Sequence, residues 1–271
     1  MKKTITGLLT LMLSLALNAN ETFSGFVMPE SVAEGKDGSI YVSEIGKRDV
    51  DKDGKISKIS KEGDITTVAE GLYDPKGIVF FEDKLYVTDR DVILEVNLDG
   101  SWGVYSGTMA FPKTPVFLND IDVADNGDLY VTDSGDFSSS GFIFLVKKNG
   151  GISVLFDGDK NIKAPNGILP VPNSRLLIVD WAGDLLEANL TNNEVKKIAE
   201  GFDGGDGLAY NNGAIYVSSW KRGVVYKIVN GESTVIAEGF KAAADIALSL
   251  DKKKLIIPDM MGGTVTLVDA K

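Results

Sequence analysis

Short runs of alternating apolar and polar residues fill most of the chain, and the runs repeat. One run, apolar and closed by a small or acidic residue, occurs six times: IYVSE at 40–44, LYVTD at 85–89, LYVTD at 129–133, LLIVD at 176–180, IYVSS at 215–219 and LIIPD at 255–259. Ahead of each stands an apolar residue that opens another short strand: Val32, Ile78, Ile121, Ile168, Leu208 and Ile246. Successive openers are 46, 43, 47, 40 and 38 residues apart. Short strands repeating at such a period mark the blades of a β-propeller. Hairpin signals separate the two strands at KDGS (36–39), ADNGD (124–128) and YNNGA (210–214), where Asp-Gly and Asn-Gly supply positive φ. Two more alternating runs follow, clearest at 141–158 and 223–240. Each unit therefore predicts four antiparallel strands, and nothing beyond the N-terminus keeps a helical period. The expected fold class is all-β, a six-bladed propeller.

The pattern also predicts how the ring closes. Outer strands finish on a Gly-apolar pair just before the next blade: AEGLYD at 69–74, AEGFDG at 199–204 and AEGFKA at 237–242. The same ending, TFSGFVMPE, lies at 22–30, directly before the first opener. The last unit has only three strands of its own, so residues 22–28 are expected to supply its outer strand and remove a free edge.

Residues 1–19 read as a signal peptide: Lys2 and Lys3 precede an apolar stretch from Ile5 to Leu17, and Ala19 is a small residue suited to cleavage. The alternative is an uncleaved anchor, for which the apolar run is short. Residues 20–271 are then one propeller domain, expected in the periplasm or secreted, with no membrane contact in mature form. The formal net charge of −11 argues against nucleic acid, which demands basic patches. The chain has no cysteine and no histidine. This excludes disulfides, thiolate or imidazole metal ligands, and any nucleophile activated by histidine. Oxygen ligands remain, and these favour hard cations such as calcium.

The residue two places before each opener is Glu30, Lys76, Asn119, Asn166, Asp206 and Ala244. Innermost strands line a propeller's channel, so these positions converge on the axis. Two carboxylates and two amides meeting there suit one divalent cation, most simply calcium, with the charges of Glu30 and Asp206 balanced. Without a cation the two carboxylates repel, and one must hold a proton. The competing reading makes Asn166-Gly167 and Asp206-Gly207 ordinary turn formers at strand entries.

On these residues the chain resembles the SMP-30/gluconolactonase/LRE-like family of calcium-dependent six-bladed propellers, which includes regucalcin-type lactonases. The resemblance spans the whole mature chain. It implies metal ligands at Glu30 (PES), Asn166 (PNG) and Asp206 (GDG), with Asn119 (LND) at the shared metal and substrate pocket. The arrangement also resembles the catalytic calcium site of organophosphate-hydrolysing propellers and, without its histidine dyad, that of paraoxonases. One departure is plain: Phe117 stands where gluconolactone hydrolases of the family carry a sugar-binding arginine. The mouth instead offers Lys76, Arg90, Phe117, Trp181, Trp220 and Met260, an aromatic and partly basic set suited to an apolar or anionic ligand. Trp181 and Trp220 read equally as loop-packing aromatics.

A second acidic loop, Asp49-Val-Asp51-Lys-Asp53-Gly54, matches the first half of an EF-hand loop. Ser60 replaces its bidentate glutamate, so a solvated hairpin is the competing reading. The functional expectation is an exported calcium-dependent hydrolase of lactones or related esters acting on a small molecule, with Asp206 as base or nucleophile. The alternative is a non-catalytic, metal-stabilised propeller that binds a protein or small ligand at its mouth.

Overall fold

The computed structural model describes residues 20–47 and 50–270. The expected signal peptide and Asp49 lie outside the described residues. Six four-stranded antiparallel sheets follow one another along the chain, each running from the channel outward. Blade 3 is representative, with strands Leu118–Val123, Leu129–Asp133, Phe142–Val146 and Ile152–Phe156 in that order. The repeats form strands because their short runs are rich in β-branched and aromatic residues, and both faces of the inner strands are buried between neighbouring blades. Tyr41, Ile56 and Leu72 of blade 1 pack against Ile78, Leu85, Val87 and Leu94 of blade 2. The core is thus a set of interfaces around the axis.

The sixth sheet is completed by the N-terminal strand, as the sequence predicts. Glu21–Ser24 pairs antiparallel with Thr264–Asp269, and the Thr22 and Thr266 hydroxyls sit 3.1 Å apart. The strand is shorter than the expected 22–28. Gly25, at φ 105°, takes the chain off the sheet edge after Ser24. Phe26 then drops between blades 6 and 1, buried with Val32, Val42, Ile256 and Val265.

The acid that ends each repeated motif has a structural task. Asp89 accepts the backbone N–H groups of Tyr73 (2.9 Å) and Asp74 (2.6 Å). Asp133 does the same for Val116 and Phe117, Asp180 for Ala164, and Asp259 for Lys241 and Ala242. Each carboxylate pins the loop that delivers the inner strand of its own blade. Those loop amides are off any ladder and would otherwise lose a bond on burial, at about 1–3 kcal/mol each. In blade 5 the motif ends in Ser219, whose hydroxyl donates to the carbonyl of Asp203 instead.

A chain beginning at residue 29 should test the closure. It loses Phe26, a deletion worth about 3–5 kcal/mol by itself, and exposes the edge Thr264–Asp269. The Tm should fall by about 10 °C or more, with aggregation visible in light scattering during the melt.

Candidate metal centre in the channel

The predicted ring residues lie in β-bulges. In blades 1 to 5 the register between the first and second strands shifts by one residue, between Pro29 and Val32, Pro75 and Ile78, Leu118 and Ile121, Pro165 and Ile168, and Gly205 and Leu208. Blade 6 shifts in the same place, between the Ala243–Asp259 bridge and the Ala247–Ile256 pair. Two residues therefore oppose one on the neighbouring strand, which re-aims the side chains there. The first residue of each bulge is the ring residue, and Glu30, Lys76, Asn119, Asn166 and Asp206 are all 5% exposed or less.

The second bulge residue sets how closely the blades approach. It is glycine at Gly77, Gly167 and Gly207, and a side chain on Gly167 would strike the carbonyl oxygen of Asp206 in the next blade. Neither Gly167 nor Gly207 has positive φ. The Asn-Gly and Asp-Gly pairs are thus bulges under tight inter-blade contact rather than turns, which corrects the turn-former reading. In the other blades the second residue is polar and bonds across to the next blade. Ser31 accepts from the Ile78 N–H (3.2 Å), Asp120 from the Ile168 N–H (2.7 Å), and Asp245 from the Ser31 hydroxyl (2.5 Å).

Strand hydroxyls hold the ring backbone in place. Thr132 accepts from the Asp120 N–H (2.9 Å) and donates to the Asn166 carbonyl (2.7 Å), so one side chain ties two ring positions together. Ser218 does the same for Gly207 and Ala244, and Thr88 donates to the Asn119 carbonyl. Ser134 fixes an orientation. Its Oγ accepts from Asn119 Nδ2 (3.0 Å) and donates to the Pro165 carbonyl (2.8 Å). With Nδ2 so committed, Asn119 is left with Oδ1 free. The Asn166 amide makes no hydrogen bond with a described residue.

The charges do not balance. Four buried carboxyls, Glu30, Asp120, Asp206 and Asp245, share the channel with one buried ammonium, Lys76. Burial pushes Glu30 well above the usual carboxylate range, and the charges of Asp206 and Asp120 push it further. Asp206 and Asp245 are raised in the same way, burial first and neighbouring carboxylates next. Burial lifts Asp120 to about 6 in spite of two backbone N–H donors. Burial also lowers Lys76, against the pull of Glu30. Glu30 Oε2 and Asp206 Oδ1 are fully buried with no hydrogen-bond partner among the described residues. Such orphaned oxygens are costly unless a bound cation or donor completes them.

This donor set fits a hard cation. No three carboxylates come together closely enough to hold a metal by themselves among the described residues. Two carboxylates and two amides, with water completing the shell, would make up the ligands. A cavity of about 500 Å³ opens at the other end of the channel, reaching Asp120, Asp122 and Asp245. Their carboxyls already accept hydrogen bonds there, from Ile168, Val123 and Ser31. The unmet demand lies in the ring.

The mouth residues divide. Lys76 donates to the Asp74 carbonyl (3.1 Å) and stands 4.3 Å over the Phe117 ring. Trp181 and Trp220 are 5.8 Å apart, and the Trp220 indole donates to Met260 Sδ (3.4 Å). Arg90 is occupied differently: its guanidinium is held by Asp74 (2.5 Å) and Asp51 (2.6 Å) and lies over Tyr73. Asp51 of the acidic loop is therefore engaged by blade 2. Asp53 accepts the Lys47 N–H at 2.8 Å through Oδ2, and its Oδ1 has no partner among the described residues.

No family model and no curated protein sequence matches the chain. Solved structures do. A gluconolactonase from Xanthomonas campestris superposes with a TM-score of 0.77 at 15% identity, over 93% of this chain and 90% of that one. A second structure, provisionally assigned as a gluconolactonase, gives 0.76 at 14% identity over 93% of both chains. A chain from a nidogen–laminin complex gives 0.65 at 21% identity, over 76% of this chain and 78% of that one. The fold is that of the gluconolactonase-type six-bladed propellers.

Two outcomes follow from the ring. Carboxyls raised in the folded state bind protons that the unfolded chain has already lost above about pH 4. The stability of the chelated protein should therefore fall as pH rises from about 4, through about 6 where Asp120 loses its proton, and further as Glu30, Asp206 and Asp245 lose theirs. Saturating calcium should reduce that fall, because it takes the place of the protons on Glu30 and Asp206; thermal melts across pH will show both. Separately, Ser134→Ala frees the Asn119 amide to rotate. Calcium affinity by calorimetry should drop about tenfold, as second-sphere losses at metal sites generally cost about 10–100-fold in affinity. The Tm in chelator should also fall by a few degrees, because the Pro165 carbonyl loses its buried donor.

Proposed function

We propose that this protein is an exported calcium-dependent hydrolase of lactones or related esters, with one cation held by Glu30, Asn119, Asn166 and Asp206. The orphaned Glu30 Oε2 and Asp206 Oδ1 carry the reading, because two buried, unpaired carboxylate oxygens facing a polar ring are what a dication would satisfy. The structural likeness to two gluconolactonases supports the choice of reaction. Export rests on the basic and apolar character of residues 1–19.

When bound, the cation would polarise the substrate carbonyl and stabilise negative charge on its oxygen. The remaining work falls to the chain's own side chains. Asp206 is the candidate base, since its Oδ1 is buried with no hydrogen-bond partner among the described residues and stands open to take a proton from water. No histidine competes for that role. Asn119, oriented by Ser134, presents an amide oxygen toward the site. Lys76 places a positive charge beside Glu30, suited to the carboxylate that ester hydrolysis releases. The match to a chain from a nidogen–laminin complex supports a second reading, a propeller that binds a ligand without chemistry.

The variants separate these roles. Glu30→Gln and Asn166→Ala should weaken calcium binding and regain part of their rate in excess calcium. Asp206→Asn should stay inactive at saturating calcium, with a loss on the order of a hundredfold or more. Rates on aliphatic, aromatic and sugar lactones and aryl esters decide the matter. Normal calcium binding with no turnover on any of them would favour the second reading.

A further inference from the structure

The arc of aromatic residues above the ring is larger than the sequence shows. Phe117 and Phe137 meet edge to face at 4.7 Å, Phe137 meets Trp181 at 5.5 Å, and Trp181 meets Trp220 at 5.8 Å. Met260 ends the arc on the Trp220 indole. The series crosses blades 3 to 6, and each of its members is half-buried.

Its place is set by the backbone. The Trp181 N–H donates to Ala164, Trp220 to Gly204 and Met260 to Ala242. Each acceptor lies two residues before a ring position, so these side chains stand at the channel entrance beside Asn166, Asp206 and Ala244. Phe137 adds an independent sign. Its φ is 59°, a conformation that a bulky residue rarely adopts and that costs of order 1–3 kcal/mol. The turn is pinned by Asp136, whose Oδ1 accepts the N–H groups of Ser138, Ser139 and Ser140. That strain holds a ring between Phe117 and Trp181. The Trp181 indole N–H has no acceptor among the described residues.

Apart from the Trp181 indole N–H, the polar groups flanking the arc are already committed. Arg90 is held by Asp51 and Asp74, Ser134 by Asn119 and Pro165, and Asp133 by backbone amides. A polyhydroxylated ligand would give up water here for few new bonds, a loss that hydrophobic surroundings do not repay. A flat apolar group would stack on rings that are still half exposed. The ammoniums of Lys76 and Lys221 lie 4.3 and 4.9 Å over the Phe117 and Trp181 rings, so positive charge borders the arc and favours electron-rich oxygen.

We infer that the mouth selects a lactone or ester carrying a planar aryl group over a sugar lactone. The nature of the reacting group rests on the proposed hydrolase activity; the aryl preference rests on the arc. The test uses calcium-loaded protein and two lactams that resist hydrolysis, dihydrocarbostyril as the aryl-fused probe and gluconolactam as the sugar probe, with binding read by calorimetry. Dihydrocarbostyril should bind and gluconolactam should bind far more weakly. Trp181→Ala should weaken dihydrocarbostyril on the order of tenfold, Trp181→Phe should restore most of it, and Trp102→Ala, remote in the outer strand of blade 2, should change nothing. Tighter binding of gluconolactam, no binding of the aryl probe, or an unchanged affinity in folded Trp181→Ala would overturn the inference. If the aryl lactam binds as stated but the lactone dihydrocoumarin is not turned over, the hydrolase reading falls and the aryl preference stands.

Discussion

The two-residue bulge at the inner edge of each blade is the constraint on which the rest of the structure depends. A regular strand would send consecutive side chains to opposite faces, into the two inter-blade interfaces. The extra residue breaks that alternation at one height around the ring. The first bulge residue can then turn toward the axis while the apolar residue that follows returns to the core. The second must be glycine where the next blade presses closely, as at Gly167, or must bond to that blade, as Asp120 does to Ile168. Close packing between blades and polar groups on the axis are therefore two results of a single irregularity in register.

The same geometry concentrates charge. Carboxyls from different blades are brought together where water is scarce, and their proton affinities rise because both burial and one another's charge disfavour ionisation. A buried carboxylate usually finds a cation or a fan of amide donors. Asp89, Asp133, Asp180 and Asp259 have found amides, and they serve the fold. Glu30 and Asp206 have not. The contrast separates structural acids from site acids more sharply than burial does, since both sets are buried.

The blades were legible in the sequence because a two-residue period and a recurring strand ending survive divergence at the surface. The ring was legible for a related reason: Glu30, Asn119, Asn166 and Asp206 hold equivalent places in the repeat, so equivalence substitutes for distance. The bulge was hidden, since register is a relation between strands. Gly167 and Gly207 consequently looked like turn residues. The LYVTD-type acid stood out as a motif, but nothing local told it from a ligand. Ser134 and Phe137 were missed because their partners, Asn119 and Trp181, lie in other strands or blades. Arg90 was visible as a free cation at the mouth only because its ion pairs with Asp51 and Asp74 require the fold.

Closure and site also share atoms. Blade 6 meets blade 1 through the Asp245 N–H, which donates to the Glu30 carbonyl at 2.9 Å, and through the Ser31 hydroxyl, which donates to the Asp245 carboxylate. Glu30 thus stands on the seam where the ring is shut, and Phe26 packs beneath the same seam. Asp206 stands on blade 5, away from it. Any loosening of the N-terminal strand would move Glu30 relative to Asp206, and so would weaken the proposed cation site, which uses both. A cation bridging the two would in turn oppose opening of the ring, by the reciprocity that governs any ligand bound only to the closed form. Closure by the N-terminal strand and the proposed charge balance on the axis are in this way coupled, and each favours the other.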